Sequence, residues 1–320
     1  MAPVSGPVVT LPEELGYLAD GDIVRVVPNV GEVTTLYRKS SPSNGIFLTE
    51  QCNCRCLFCP QPPREVADAH WVQTWQEAIA LMDPRTEGLG ITGGEPTMLP
   101  EGLLEIIRTC RNHLPHTALH LLSNGRMFNY ASYCERMAAL NHPDLVVGVP
   151  LYSDIPHEHD FLVQCPGAFD QTLRGVMNLA RFGLRLEIRV VLCRQTVPRL
   201  ASLATFISRN LPFVGHVAVM GLELMGYAKA NADDLWLDPP AYQGVLAEAV
   251  GRLVTHRIGV SIYNHPLCVL RKELRPFARK SISDWKVEYF PTCPSCSQRE
   301  RCGGAFFSTR ERLSPFVANC

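Results

Sequence analysis

From Gly45 onward, short apolar runs alternate with longer stretches whose apolar positions recur at intervals of three and four. The short runs predict strands over Ile46–Thr49, Leu89–Thr92, Ala118–Leu122, Leu145–Pro150, Leu186–Leu192 and Val217–Gly221. The longer stretches predict helices over Thr74–Met82, Glu101–His113, Tyr130–Leu140, Phe169–Phe182 and Leu200–Asn210. In the last of these, Leu203, Phe206, Ile207 and Leu211 line one side. Six strands separated by helices imply parallel pairing through right-handed crossovers. The pattern predicts an α/β fold, read as an open partial (β/α)6 barrel. A doubly wound sheet would show the same alternation. Either architecture places a site at the C-terminal ends of the strands. In the fifth strand, Leu186, Ile188, Val190 and Leu192 alternate with Glu187, Arg189 and Val191. Period two turns the first set toward the helices and the second into the lumen. A buried Arg189 then requires an anionic partner, for which Glu187 and Glu95 are candidates within the chain.

The flanks behave differently. Residues 1–44 form a small appendage in which Asp22–Val27 and Glu32–Tyr37 predict a hairpin around Pro28-Asn29-Val30-Gly31, with Lys39–Asn44 as linker. Residues 45–260 form the barrel, and residues 261–320 an irregular, cysteine-rich extension. Before that extension lie a helix over Pro239–His256 and a short strand over Val260–Tyr263. In 320 residues, 46% hydrophobic and 19% charged side chains support a sizeable core. A formal net charge of −1 gives no general pull toward nucleic acid or an anionic membrane. No apolar run reaches the ~18–20 residues of a membrane span, and the N-terminus lacks the pattern of a secretory signal. A cytoplasmic protein is the expectation. Thirteen cysteines are many for that compartment, where disulfides are disfavoured, so metal ligation or redox chemistry is the better reading. Four fall within residues 52–59 and three within 293–302. Cys110, Cys134, Cys165 and Cys193 stand alone and are expected as small apolar interior residues.

The first strand runs directly into Glu50-Gln51-Cys52-Asn53-Cys54-Arg55-Cys56-Leu57-Phe58-Cys59-Pro60. Cys52, Cys56 and Cys59 have the spacing Cys-x3-Cys-x2-Cys, with Cys54 spare. Soft thiolates this close together suit a cubane iron–sulfur cluster or zinc. Three thiolates on a four-iron cube would leave one iron open, the mark of a catalytic rather than a closed structural centre. A structural zinc site using all four cysteines is the alternative. The second strand ends in Gly93-Gly94-Glu95-Pro96, where two glycines let backbone approach a ligand closely and a carboxylate can accept from an ammonium group. The third strand ends in Ser123-Asn124-Gly125. Near the C-terminus, Cys293, Cys296 and Cys302 have the spacing Cys-x2-Cys-x5-Cys, and Cys268 lies 25 residues earlier. A zinc knuckle is the alternative there too.

The cysteine triad, Phe58 just before its last member, and Gly93-Gly94-Glu95-Pro96 one strand later resemble the radical S-adenosylmethionine superfamily. The resemblance implies a [4Fe–4S] cluster on Cys52, Cys56 and Cys59 whose open iron binds S-adenosylmethionine. It also implies reductive cleavage of that cofactor to a 5′-deoxyadenosyl radical. Contacts to the cofactor are expected from Phe58, Gly93, Gly94, Glu95, Pro96, Ser123, Asn124, Ser153 and Arg189, with Glu95 on the methionine amino group, Arg189 on the carboxylate and Ser153 on the ribose. The segment from His159-Asp160 to Gly167-Ala168-Phe169-Asp170 and Leu179, with the loop histidines His157 and His159 at the mouth, is similar to peptide-modifying members. The C-terminal cysteines resemble the auxiliary-cluster (SPASM/Twitch-like) region of such enzymes. They imply a second [4Fe–4S] cluster on Cys268, Cys293, Cys296 and Cys302, with Cys320 competing for the fourth place. The basic run Arg271-Lys272-Glu273-Leu274-Arg275 to Arg279-Lys280 is either a solvated face or a dock for an acidic electron donor or peptide.

Along nearly its whole length the chain resembles the C-type radical maturases of the His-Xaa-Ser repeat peptide system. That resemblance rests on Tyr17-Leu18-Ala19-Asp20-Gly21-Asp22, Gln61-Pro62-Pro63, Met220-Gly221-Leu222-Glu223, Tyr263-Asn264-His265 and Ser281-Ile282-Ser283-Asp284-Trp285-Lys286. It implies a precursor peptide as substrate, a sister maturase and a small accessory protein as partners, and a reductant such as flavodoxin or ferredoxin. Two further readings compete: a radical enzyme acting on a small molecule, and a non-catalytic iron–sulfur or zinc-binding module.

Overall fold

The computed structural model describes residues 11–281, 286–309 and 312. Cys320, residues 282–285 and the first ten positions lie outside the described residues. The appendage is the expected hairpin, β1 (Ile23–Val27) antiparallel to β2 (Glu32–Tyr37). There follow β3 (Asn44–Phe47), β4 (Gly88–Thr92), β5 (Ala118–Leu122), β6 (Leu145–Pro150), β7 (Arg185–Leu192), β8 (His216–Gly221) and β9 (Gly259–Tyr263). These seven form one sheet, every pair parallel and every strand beside its sequence neighbour.

That order decides between the two α/β architectures. A doubly wound sheet reverses strand order at a switch point, which sends helices to both faces. Here the order never reverses, so crossovers of one hand keep the helices on one face and leave the other as a lumen. The sheet also has one strand more than the six expected, since the short strand after Ile258 pairs with β8 (Val217 opposite Val260). The connecting helices are α1 (Trp71–Leu81), α2 (Pro100–His113), α3 (Ala131–Ala139), α4 (Pro156–Val163), α5 (Ala168–Arg181), α6 (Leu200–Asn210), α7 (Gly226–Ala230), α8 (Ala232–Leu235) and α9 (Gln243–Thr255). α4, α7 and α8 lie where no helix is expected from the sequence, and α4 takes up the segment read as a mouth loop.

Two apolar cores follow. The larger joins sheet to helices through residues such as Ile46, Ile91, Leu121, Val147, Ile188, Ile207 and Leu246. The smaller sits at the C-terminal ends of the strands and contains Cys54, Phe58, Tyr152, Leu162, Val163, Leu222, Leu224 and Leu235. Burying side chains of this size contributes roughly 1.5–3 kcal/mol each, which fixes the loop that carries the cysteines. Among the described residues no helix is long and apolar enough to cross a membrane. Cys110, Cys134 and Cys193 are wholly buried, as expected of interior thiols, whereas Cys165 is half-buried.

Candidate active site

The loop from Thr49 to Arg64 leaves the end of β3 and carries Cys52, Cys56 and Cys59, all half-buried. Its backbone is held from outside more than from within. Asp68 anchors the entry: its Oδ2 accepts from Thr49 Oγ1 at 2.8 Å and Glu50 N at 2.7 Å, and Oδ1 accepts from Gln51 Nε2 at 3.0 Å. Despite its burial, these donors hold the Asp68 carboxyl below its ordinary range. The last turn of α4 braces the middle, where Arg55 N donates to Val163 O and Leu57 N to Leu162 O, at 3.1 and 2.9 Å. Those carbonyls have no partner within the helix because it ends there. The far side is held by Tyr227 N on Cys59 O and Asn231 Nδ2 on Leu57 O, both at 2.9 Å. Gly226 makes that approach possible: it has φ +51°, and a Cβ there would meet Cys59 O and Pro60 O at 2.7 Å. Sequence reasoning singled out none of Asp68, Gly226 or Asn231, although Pro156 as the first residue of α4 is a helix-start signal.

Gly93 and Gly94 make a close contact within the protein. A Cβ on Gly93 would lie 2.5 Å from Thr49 O, and one on Gly94 would lie 2.3 Å from Gln51 O. The two glycines therefore let the end of β4 lie against the entry of the cysteine loop, joined by Gly94 N to Thr49 O and Glu95 N to Gln51 O, both 2.7 Å. Glu95 makes a set of contacts within the protein. Its side chain is wholly buried and accepts from Thr97 N (3.0 Å), Thr97 Oγ1 (2.6 Å), Ser123 Oγ (2.8 Å) and Asn124 N (2.6 Å). It ties the end of β4 to that of β5. Burial pushes its carboxyl upward, opposed by those four donors. Pro96 opens the short 3-10 turn that Glu95 caps.

Asn124 continues the brace to the cysteines, donating from Nδ2 to Asn53 Oδ1 at 2.6 Å and lying 3.7 Å from Cys54 Sγ. Arg126 reaches the same thiol at 3.5 Å and Asn53 O at 2.6 Å. Cys54, expected as a bystander in the spacing, is thus packed against Asn124 and Arg126. Its thiol is pushed far up by a hydrogen bond with Cys52 and by burial, against the pull of Arg126. Burial and the neighbouring Cys54 and Cys59 likewise push Cys56 well above the ordinary thiol range, and burial raises Cys59. Phe58 is buried, edge-on to Tyr152 with ring centroids 4.7 Å apart. Ser153 uses its hydroxyl locally, donating to Glu158 Oε2 at 2.6 Å and accepting from Ile155 N at 3.1 Å at the start of α4. His159, expected in a loop, is buried on α4, where its Nδ1 accepts from Tyr152 N at 3.2 Å.

Arg189 pairs with Glu187 at 2.7 Å, the intrachain alternative foreseen for it, and its other nitrogen lies 2.9 Å from Met220 Sδ. Glu187 gathers His216 Nδ1 at 2.9 Å and His120 Nε2 at 3.3 Å in the lumen. Burial would raise its carboxyl, but the two histidines and Arg189 hold it well below the ordinary carboxylate range.

At the far end of the chain Cys268, Cys293, Cys296 and Cys302 line one small pocket with Tyr289, Phe290 and Arg299. Cys302 Sγ accepts from Leu267 N and Gly304 N, each at 3.3 Å. Amide donors to sulfur of this kind stabilise a thiolate ligand. Among the described residues, no three Cys, His, Asp or Glu side chains converge tightly enough to share one metal ion. Both sets are soft sulfur donors, three on one loop and four around one pocket, of the kind that suits an iron–sulfur cluster or zinc.

A profile of the Radical SAM superfamily matches residues 46–207, from β3 to α6. The chain belongs to the radical SAM superfamily. As a radical SAM enzyme it uses a [4Fe–4S] cluster and S-adenosylmethionine. The chain is 26% identical over 206 residues to the pyruvate formate-lyase-activating enzyme of Clostridium pasteurianum, covering 59% of this chain and 80% of that one. It is 22% identical over 222 residues to the GTP 3′,8-cyclase of Petrotoga mobilis, covering 67% and 66%. Among solved structures, Streptococcus suis SuiB bound to S-adenosylmethionine shares the fold with a TM-score of 0.54 at 15% identity, covering 78% of this chain and 55% of SuiB. Native anSMEcpe with bound AdoMet gives 0.53 at 15%, covering 68% and 62%. The chain thus spans little more than half the length of SuiB.

Proposed function

We propose that Cys52, Cys56 and Cys59 hold the [4Fe–4S] cluster and that the enzyme modifies a ribosomally made peptide of the His-Xaa-Ser repeat type. Bound there, cluster and S-adenosylmethionine supply a 5′-deoxyadenosyl radical able to abstract a hydrogen atom. The protein's part is to hold the cysteine loop rigid between α4, α7 and the brace Glu95–Ser123–Asn124, and to keep it in an apolar setting. Arg189, poised by Glu187 in the lumen, is the candidate for the cofactor carboxylate. The four cysteines Cys268, Cys293, Cys296 and Cys302 are assigned to a second [4Fe–4S] cluster. The single observation carrying the peptide reading is that Cys268, 25 residues before Cys293, lines one pocket together with Cys293, Cys296 and Cys302. SuiB, solved also with its precursor peptide SuiA, has a similar fold. A sister maturase, a small accessory protein and a flavodoxin or ferredoxin complete the proposed system.

The second reading, a small-molecule substrate, is favoured by the similarity to GTP 3′,8-cyclases. One experiment separates them. Reconstituted enzyme, dithionite and S-adenosylmethionine are incubated anaerobically with and without a peptide carrying His-Xaa-Ser repeats. 5′-Deoxyadenosine together with a mass change in the peptide is expected. Cofactor cleavage that leaves the peptide mass untouched would move the assignment to a small molecule, and no 5′-deoxyadenosine would end the enzyme reading. A Cys56→Ala variant should cleave no cofactor.

A further inference from the structure

Charge is distributed unevenly along this nearly neutral chain. Ten of its 30 Lys and Arg fall in the last 60 residues, against five of its 31 Asp and Glu. Arg271, Lys272, Arg279 and Lys280 are exposed. The run's far end, at Arg279 and Lys280, abuts the cysteine pocket. A Cβ on Gly303 would lie 3.1 Å from Arg279 O and 3.5 Å from the Cα of Lys280. The adjacent Gly304 donates to Cys302 Sγ. On the other rim Arg299 lines the pocket and lies 5.2 Å over the Tyr289 ring. The four cysteines themselves are only half-buried. Arg271 faces Glu273 at 3.9 Å, which leaves Lys272, Arg279 and Lys280 as the run's other exposed cations; around the first cysteine loop Arg55 faces Glu65 at 3.6 Å and Arg64 faces Glu50 at 3.1 Å.

We propose that this basic C-terminal face docks an acidic one-electron carrier protein, and that electrons enter the enzyme at Cys268, Cys293, Cys296 and Cys302. The proposal rests on the second-cluster assignment above. In the transfer step the carrier is oxidised by one electron and the C-terminal cluster is reduced by one, with no bond made or broken. A positive patch around a half-exposed redox centre raises the encounter rate with an anionic partner and orients it toward that centre. The effect weakens with ionic strength because exposed charges are screened within about 10 Å at about 0.1 M salt.

The test uses the full chain and a Lys272→Glu, Arg279→Glu, Lys280→Glu variant, with a flavodoxin of net negative charge as probe. Binding is measured at about 20 and about 200 mM NaCl, and cluster reduction by reduced flavodoxin is followed in stopped flow. Wild-type binding should weaken about 10-fold or more between the two salts. The variant should bind and accept electrons about 10-fold more weakly at low salt, with little salt dependence, while its dithionite-driven 5′-deoxyadenosine formation stays at the wild-type level. Equal flavodoxin binding by both proteins, in a chain holding two iron clusters, would overturn the docking surface alone. Loss of peptide modification with dithionite as well would assign the face to the peptide and overturn the proposal. Zinc in place of iron in the tail would instead remove the second-cluster reading, and the entry route with it.

Discussion

Two histidines show how burial turns one side chain into a pH-dependent contribution to stability. His159 on α4 and His265 after β9 are buried, and burial lowers both to about 4. His265 is held neutral between Tyr242 Oη at 2.7 Å and Tyr263 O at 2.7 Å. In the unfolded chain each would titrate near 6.5. Between about 4 and 6.5 the unfolded state therefore binds more protons, so stability is fully present above pH 6.5 and is lost as pH falls toward 4. Denaturant unfolding should show a loss of about 2 kcal/mol per histidine between pH 7 and pH 5. A His159→Asn variant should lose about half of that slope. At the same scale Glu95 shows a limit of motif reading. Its identity and position after β4 were legible, but its four donors come from Thr97, Ser123 and Asn124, and no local pattern could announce Ser123 and Asn124 across the sheet.

Among the elements, α4 is the one whose omission from a sequence reading matters most. It is eight residues long and weakly amphipathic, with Ser153 and Glu158 at its start and Gln164, φ +53°, at its end. Leu162 and Val163 are buried but so is His159, while Phe161 is exposed, and so its sequence shows no clear apolar face. Yet its last carbonyls hold Arg55 and Leu57, and its Asp160 accepts from Gly167 N at 2.6 Å and Phe169 N at 2.7 Å, capping α5. Removing that cap in an Asp160→Ala variant should cost about 1 kcal/mol of stability, read as a lower urea midpoint. It should also loosen the cysteine loop, read as faster amide exchange at Arg55 and Leu57. Unchanged exchange there would mean that α4 does not steady the loop.

For the molecule as a whole, the testable quantity is its metal content. Two four-iron clusters predict about eight irons and eight sulfides per chain after anaerobic reconstitution. A Cys296→Ala variant should fall toward about four while still cleaving S-adenosylmethionine in the absence of peptide. A wild-type value of about four would leave the C-terminal pocket without its cluster.

What the sequence by itself determined was local. Strand and helix periodicities, the Cys-x3-Cys-x2-Cys spacing and the glycine pair after β4 each reside in a few consecutive residues, so they could be read without the fold. The tertiary structure decided what joins segments far apart in the chain. It ordered the seven strands without reversal and made barrel winding the architecture. It packed Gly93 and Gly94 against the backbone of Thr49–Gln51. It brought Cys268 to Cys293, Cys296 and Cys302 around one pocket. Such pairings depend on which surfaces meet when apolar faces are buried, and one-dimensional spacing carries no record of that.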